Sequence, residues 1–143
     1  MKAACLQLSV ESCHPDKNIT RAMQMAGAAL AEGAEILVFP ELFLTGFCYE
    51  PSLQSSSSAE DYSPYPSLDP FRALASDHNC LIVGSLRSGR QNLGFCLDQG
   101  GLQLRPKIHP FGAEKEHFDG GDVISPAATR WGPVGLEICY DLR

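Results

Sequence analysis

Ile36-Leu37-Val38-Phe39-Pro40-Glu41 is an unbroken apolar run that stops at a proline and delivers a carboxylate. A continuous apolar run, as opposed to an alternating one, belongs to a strand buried on both faces. Upstream, residues 18–32 place Ile19, Ala22, Met23, Ala26, Ala29 and Leu30 at helical spacing. Asp16 or Asn18 is positioned to cap that helix, and Gly33 ends it. Before the helix, residues 3–10 alternate, with Ala4, Leu6, Leu8 and Val10 on one face and Cys5, Gln7 and Ser9 on the other, the period of a strand. The chain therefore opens β-α-β.

The same rhythm continues downstream. Residues 48–66, with Ser55 to Ser58 in a row and three prolines, are expected to form a surface loop within one domain. Residues 67–79 carry Leu68, Phe71, Leu74 and Ala75 at helical spacing, and Leu81 to Leu86 is a second buried-type strand. Asn92 to Asp98 and Leu102 to Arg105 are expected to be strands joined through Gln99-Gly100-Gly101 as a hairpin. Residues 106–133, rich in Gly, Pro and charge, are expected to be a long loop before a last strand, Val134 to Cys139. Strands alternating with helices give the α/β class.

Composition narrows the partners. The chain has 11 basic and 17 acidic residues, a formal net charge of −6, and no basic cluster, which argues against nucleic acid and anionic membrane surfaces. The start, MKAACLQLSVESCH, is too short and polar for a signal peptide, and no stretch is long and apolar enough to cross a bilayer. A cytoplasmic location is expected. Six cysteines, at 5, 13, 48, 80, 96 and 139, include no CxxC pair, and all six are expected to be reduced. No metal or cofactor is expected; His109 and His117 have no metal-ligand spacing or partner pattern, and are expected to be structural.

Three residues share one placement, at or just past the end of a strand: Glu41, Lys107 and Cys139. Such ends are where ligands bind in open α/β sheets. Singly, each has an ordinary explanation: two solvated charges and a small buried thiol. Together they supply a nucleophile, a base and a cation. A thiol with a pKa of about 8.5 is mostly protonated at neutral pH and needs such help to react.

The contexts FPELFLTGF around Glu41, RPKIHPFGAEKEHFDGGD around Lys107 and GLEICYDLR around Cys139 closely resemble the three signature segments of the nitrilase, or carbon–nitrogen hydrolase, superfamily. They occur in the family's order, with 66 residues from Glu41 to Lys107 and 32 from Lys107 to Cys139. The resemblance implies Cys139 as nucleophile, Glu41 as general base and Lys107 as electrophilic stabiliser. It also implies Glu114 as a second glutamate beside the lysine, with Glu116 as the competing candidate. The backbone N–H of Tyr140 is the natural second oxyanion donor, since it directly follows the nucleophile. Asp141 and Arg143 are expected to fix the turn through hydrogen bonds, and Cys48, close after Glu41, is the other thiol to watch.

Tyr140-Asp141 after the cysteine resembles amidase-like and ω-amidase-like branches; true nitrilases tend to have Trp-Glu there. The implied substrate is a small linear amide or an N-carbamoyl compound, hydrolysed through a thioester. Two alternatives stay open: a catalytically silent fragment serving as a binding module, and an acyltransferase in which an amine replaces water. The sequence departs from the family in having Leu104-Arg105-Pro106 before the lysine, where an aromatic and then Arg are usual. The family fold is a four-layer α-β-β-α sandwich longer than this chain. Residues 1–143 are thus expected to be the N-terminal part of one such domain, incomplete at the C-terminus and poorly folded or inactive alone. The full-length form is expected to be a homo-oligomer, a dimer.

Overall fold

The computed structural model describes residues 1–50 and 65–143. Nine regular elements follow one another among them: β1 (Ala3–Cys5), α1 (Pro15–Ala31), β2 (Ile36–Val38), α2 (Asp69–His78), β3 (Leu81–Ser88), β4 (Gln91–Asp98), β5 (Gly101–Pro106), β6 (Ala127–Thr129) and β7 (Gly132–Val134). Strands β1 to β5 form one mixed sheet in chain order. β1, β2 and β3 run parallel, as expected for strands joined through helices, and β4 and β5 turn back antiparallel. The expected Gln99-Gly100-Gly101 hairpin forms, with Asp98 opposite Gly101.

The two helices cover one face of this sheet. Ala22 and Ala26 of α1 and Phe71 and Ala75 of α2 pack in one cluster with Leu37, Ile82, Leu86, Leu93, Phe95 and Leu97. At the centre Phe39 stacks on Phe43 at 4.4 Å, and Phe71 meets Phe43 edge-on at 5.4 Å. Gly84 makes this possible, because a Cβ there would lie 2.9 Å from Phe43. The opposite face carries a smaller cluster in which Leu81, Cys96 and Ala127 meet Val83, Trp131, Val134 and Leu136. The β6–β7 hairpin therefore begins a layer on the side away from the helices.

Several expectations are corrected. β1 ends at Cys5, although Leu6 still donates to Val38 O at 2.8 Å, because its partner β2 is only three residues long before Pro40 turns the chain. α1 starts at Pro15, three residues early, and neither Asp16 nor Asn18 caps it. Proline suits a first turn, where its missing N–H is not needed, and Asn18 is fully buried instead. Its side chain accepts from Glu11 N at 2.8 Å and donates to Glu11 O at 2.8 Å and Leu44 O at 3.0 Å, clasping the entry to the helix. The long loop contains the β6–β7 hairpin, and the last expected strand fails: β7 ends at Val134 and residues 135–138 join no ladder. The six thiols are not all free. Cys13 and Cys48 form a disulfide with Cα atoms 5.1 Å apart, leaving Cys5, Cys80, Cys96 and Cys139 as thiols. Most of the expected 48–66 loop, including the serine run, lies outside the described residues.

Candidate active site

Glu41 lies in the turn that follows β2. The next residue, Leu42, adopts a left-handed backbone (φ +49°), and its N–H donates to the buried Ser85 Oγ at 2.8 Å. Thr45 N and Gly46 N then close on Leu42 O, and Leu42, Phe43 and Leu44 are all buried. The apolar residues of FPELFLTGF thus lock the turn into the core and leave Glu41 at its edge, with a side chain 16% exposed.

Lys107 directly follows β5. Its N–H donates to Asn92 O and its C=O accepts from Gly121 N, both at 2.8 Å. That closure needs glycine, because a Cβ at 121 would come 2.6 Å from Pro106. Pro106 is accommodated opposite Leu93 at the end of the β4–β5 ladder. Arg105 points away, donating to the carbonyls of Leu104, Ser125 and Pro126. Despite this departure from the family pattern, the Lys107 backbone is held by bonds to Asn92 and Gly121.

The Lys107 side chain, 1% exposed, donates at 2.7 Å to Glu41 Oε1 and at 2.8 Å to Glu114 Oε2. Burial pulls the ammonium toward its neutral form, but the hydrogen bonds and charges of Glu114 and Glu41 outweigh this and raise its pKa above the ordinary lysine value. The side chain is a cation throughout the neutral range. Glu114 sits in the 3-10 turn Gly112–Glu116, where Oε2 also accepts from Phe111 N at 2.8 Å. Glu116 is exposed and turned outward, its carbonyl accepting from Arg90. Of the two glutamates, Glu114 is the one at the lysine.

Cys139 opens the last 3-10 turn, Cys139–Leu142, with a left-handed backbone (φ +51°). For a cysteine this conformation costs on the order of 1–3 kcal/mol and is held only by its surroundings. Asp141 supplies them. Its buried carboxylate accepts from Ile138 N (3.1 Å) at one oxygen and from Ile108 N (3.1 Å) and His109 N (2.8 Å) at the other. One side chain thereby ties the cysteine turn to the residues just after Lys107, the turn-fixing part expected of it. Cys139 and Glu41 line the same cavity of about 130 Å³, walled by Val38, Gly84, Gly94 and Ile138.

Of the flanking histidines, His117 stacks on Tyr49 at 3.6 Å and His109 faces Asp141 at 3.4 Å. Asn92 was missed by sequence reasoning. This buried β4 residue donates from Nδ2 to Glu41 Oε1 at 2.7 Å. The available signal was a polar residue heading the apolar strand Leu93 to Leu97.

Comparison with known proteins settles the family. The carbon-nitrogen hydrolase family pattern matches residues 2–143. The chain belongs to that family. A nitrilase from Pyrococcus abyssi is 27% identical over 150 residues, covering 99% of this chain and 56% of the relative. The mouse omega-amidase NIT2 is 28% identical, covering 99% and 55%. The chain thus spans about half the length of the curated relatives it matches. Saccharomyces cerevisiae Nit3, of branch 10 of the nitrilase superfamily, superposes with a TM-score of 0.83 at 25% identity, over all of this chain and 56% of Nit3. A mutant amidase from Nesterenkonia sp. AN1, whose active-site cysteine has undergone Michael addition of acrylamide, gives 0.81 at 25% identity, over 99% and 58%. The α/β sheet with its helix layer is that of the nitrilase fold.

Proposed function

We propose that this chain carries the reacting residues of a hydrolase for small linear amides or N-carbamoyl compounds, with Glu41, Lys107 and Cys139 as the working set. The observation that carries the reading is one buried ammonium held between two carboxylates, with the Cys139 turn across the cavity that Glu41 lines.

Glu41 takes the thiol proton as Cys139 Sγ attacks the substrate carbonyl carbon. The carbonyl oxygen becomes negative, and the Lys107 ammonium and the Tyr140 backbone N–H are its donors. Collapse breaks the carbon–nitrogen bond, the leaving ammonia or amine takes the proton from Glu41, and a thioester remains. Glu41 then removes a proton from water, which attacks the thioester; the carbon–sulfur bond breaks, the acid leaves, and Glu41 returns the proton to the Cys139 sulfur. Glu114 does no proton transfer. It holds Lys107 charged and in place, which matters because an ammonium with one carboxylate partner could follow that partner out of position.

Competitive labelling with iodoacetamide, read by mass spectrometry, tests this. Cys5 is the internal control, being also an exposed free thiol. Cys139 is expected to react at least tenfold faster than Cys5 at pH 7 and to lose that lead in Lys107→Ala. Equal rates for the two thiols would overturn the reading.

A further inference from the structure

Resting on that reading, we infer that Asn92 is the positioning residue that decides which oxygen of Glu41 acts as the base. Asn92 is 1% exposed and grips two of the three reacting residues from one point of β4. Its side-chain Nδ2 donates to Glu41 Oε1, and its backbone carbonyl accepts from Lys107 N. Glu41 Oε1 therefore receives two strong donors, Asn92 Nδ2 and Lys107 Nζ, each at 2.7 Å. Oε2 receives no hydrogen bond among the described residues. An oxygen already holding two donors is a poor proton acceptor, so Oε2 is left to take the proton of Cys139.

A second observation points the same way. Asn92 Oδ1 is the one buried side-chain nitrogen or oxygen atom among the described residues without a hydrogen-bond partner. Leaving a buried carbonyl unpaired is costly, and the other orientation of the amide offers no relief. Turning Asn92 over would set Oδ1 against Glu41 Oε1, acceptor against acceptor. The amide is held in the orientation that serves Glu41 at the expense of its own oxygen.

The charged groups around this amide are Glu41 and Lys107 in direct or shared contact, Glu114 beyond Lys107, and Arg87 opposite Asn92 on β3. Arg87 is turned to the carbonyls of Cys48 and Gly89. In Asn92→Asp the new carboxyl lies against Glu41. When protonated it donates to Oε1 as the amide does; when ionised it repels Glu41. In Asn92→Leu the donor is absent at every pH.

The test is the rate of Cys139 alkylation by iodoacetamide from pH 5.5 to 9 in wild type, Asn92→Leu and Asn92→Asp, with melting temperatures recorded alongside. Asn92→Leu is expected to react about tenfold more slowly than wild type throughout, the low end of what loss of an orienting partner costs at metal sites. Asn92→Asp is expected to approach wild type at the acid end and fall progressively behind as pH rises. The positioning role is overturned if Asn92→Leu matches wild type while Glu41→Gln is slow. It is equally overturned if the Asn92→Asp ratio to wild type does not change with pH, as loss of packing alone would give. Should Asn92→Leu not fold, the isosteric Asn92→Asp profile decides. A wild-type Cys139 no faster than Cys5 removes the hydrolase reading, and this role with it.

Discussion

Replacing Lys107 by methionine isolates what the buried ammonium does for the fold. Methionine fills much the same volume, so the loss is chiefly electrostatic. Glu41 Oε1 and Glu114 Oε2 lie 2.7 and 2.8 Å from the same nitrogen, so the two oxygens are at most about 5.5 Å apart. With the cation gone, two ionised carboxylates at that separation repel by about 3 kcal/mol at an effective dielectric constant of about 20. The alternative is for one of them to take up a proton. An ordinary glutamate titrates at about pH 4.3, so protonation at pH 7 costs about 3.7 kcal/mol and at pH 5 only about 1 kcal/mol. Repulsion is therefore the cheaper outcome above about pH 6.5 and protonation below it.

The penalty belongs to a carboxyl that binds its proton more tightly folded than unfolded, so it is present at high pH and relieved as pH falls. Lys107→Met is expected to unfold in urea about 3 kcal/mol more easily than wild type at pH 7.5, within the span measured for broken buried pairs, and about 1 kcal/mol more easily at pH 5. Adding Glu114→Gln to it removes one of the like charges and should recover most of the neutral-pH loss. A deficit below 1 kcal/mol at pH 7.5, or one identical at both pH values, would refute the electrostatic account.

Two further outcomes follow from the same structure. The Cys13–Cys48 disulfide closes a 35-residue separation, and by loop entropy its reduction is expected to cost up to about 4 kcal/mol, read as a lower urea midpoint with dithiothreitol. Alkylation in denaturant before reduction should label four cysteines, and six labels or an unmoved midpoint would sink the assignment. Asp141→Ala strips three backbone N–H groups of their acceptor and is expected to cost about 2–3 kcal/mol and to slow Cys139 alkylation, because the cysteine turn loses its tie to the Lys107 segment. Unchanged stability together with unchanged labelling would contradict that linkage.

The parts of the fold legible in the sequence are those set by local periodicity. Ile36 to Val38 and Leu81 to Leu86 lie in strands because each belongs to an apolar run bounded by breakers, and residues 18–31 are helical because their apolar spacing fits one face. What failed depended on neighbours. Val134 to Cys139 has the composition of a strand, yet a strand exists only where another offers a ladder, and beyond Val134 none does among the described residues. Asn18 looks like a cap, but the clasp it makes reaches Leu44, 26 residues away. The thiols were expected to be reduced because no export signal was seen, an argument about surroundings that says nothing of distance. Folding brings the Cα atoms of Cys13 and Cys48 to 5.1 Å.

The site divides along the same line. Glu41 and Lys107 stand out because each interrupts or follows an apolar segment with a charge, and a buried charge must find a partner. What periodicity cannot show is stoichiometry: one ammonium serves two carboxylates, and one carboxylate oxygen serves both an ammonium and an amide. That count sets the charge of the cluster. A lysine paired with Glu41 alone would form a neutral, self-contained ion pair. The second carboxylate leaves the cluster one negative charge in excess, and the two donors on Oε1 confine it toward the free oxygen. On the hydrolase reading proposed above, that free oxygen, Oε2, is the base for the Cys139 thiol, and the ammonium shared by the two glutamates stays with Oε1. On that reading Glu114 and Asn92 act through Lys107 and Glu41, and neither need touch a substrate.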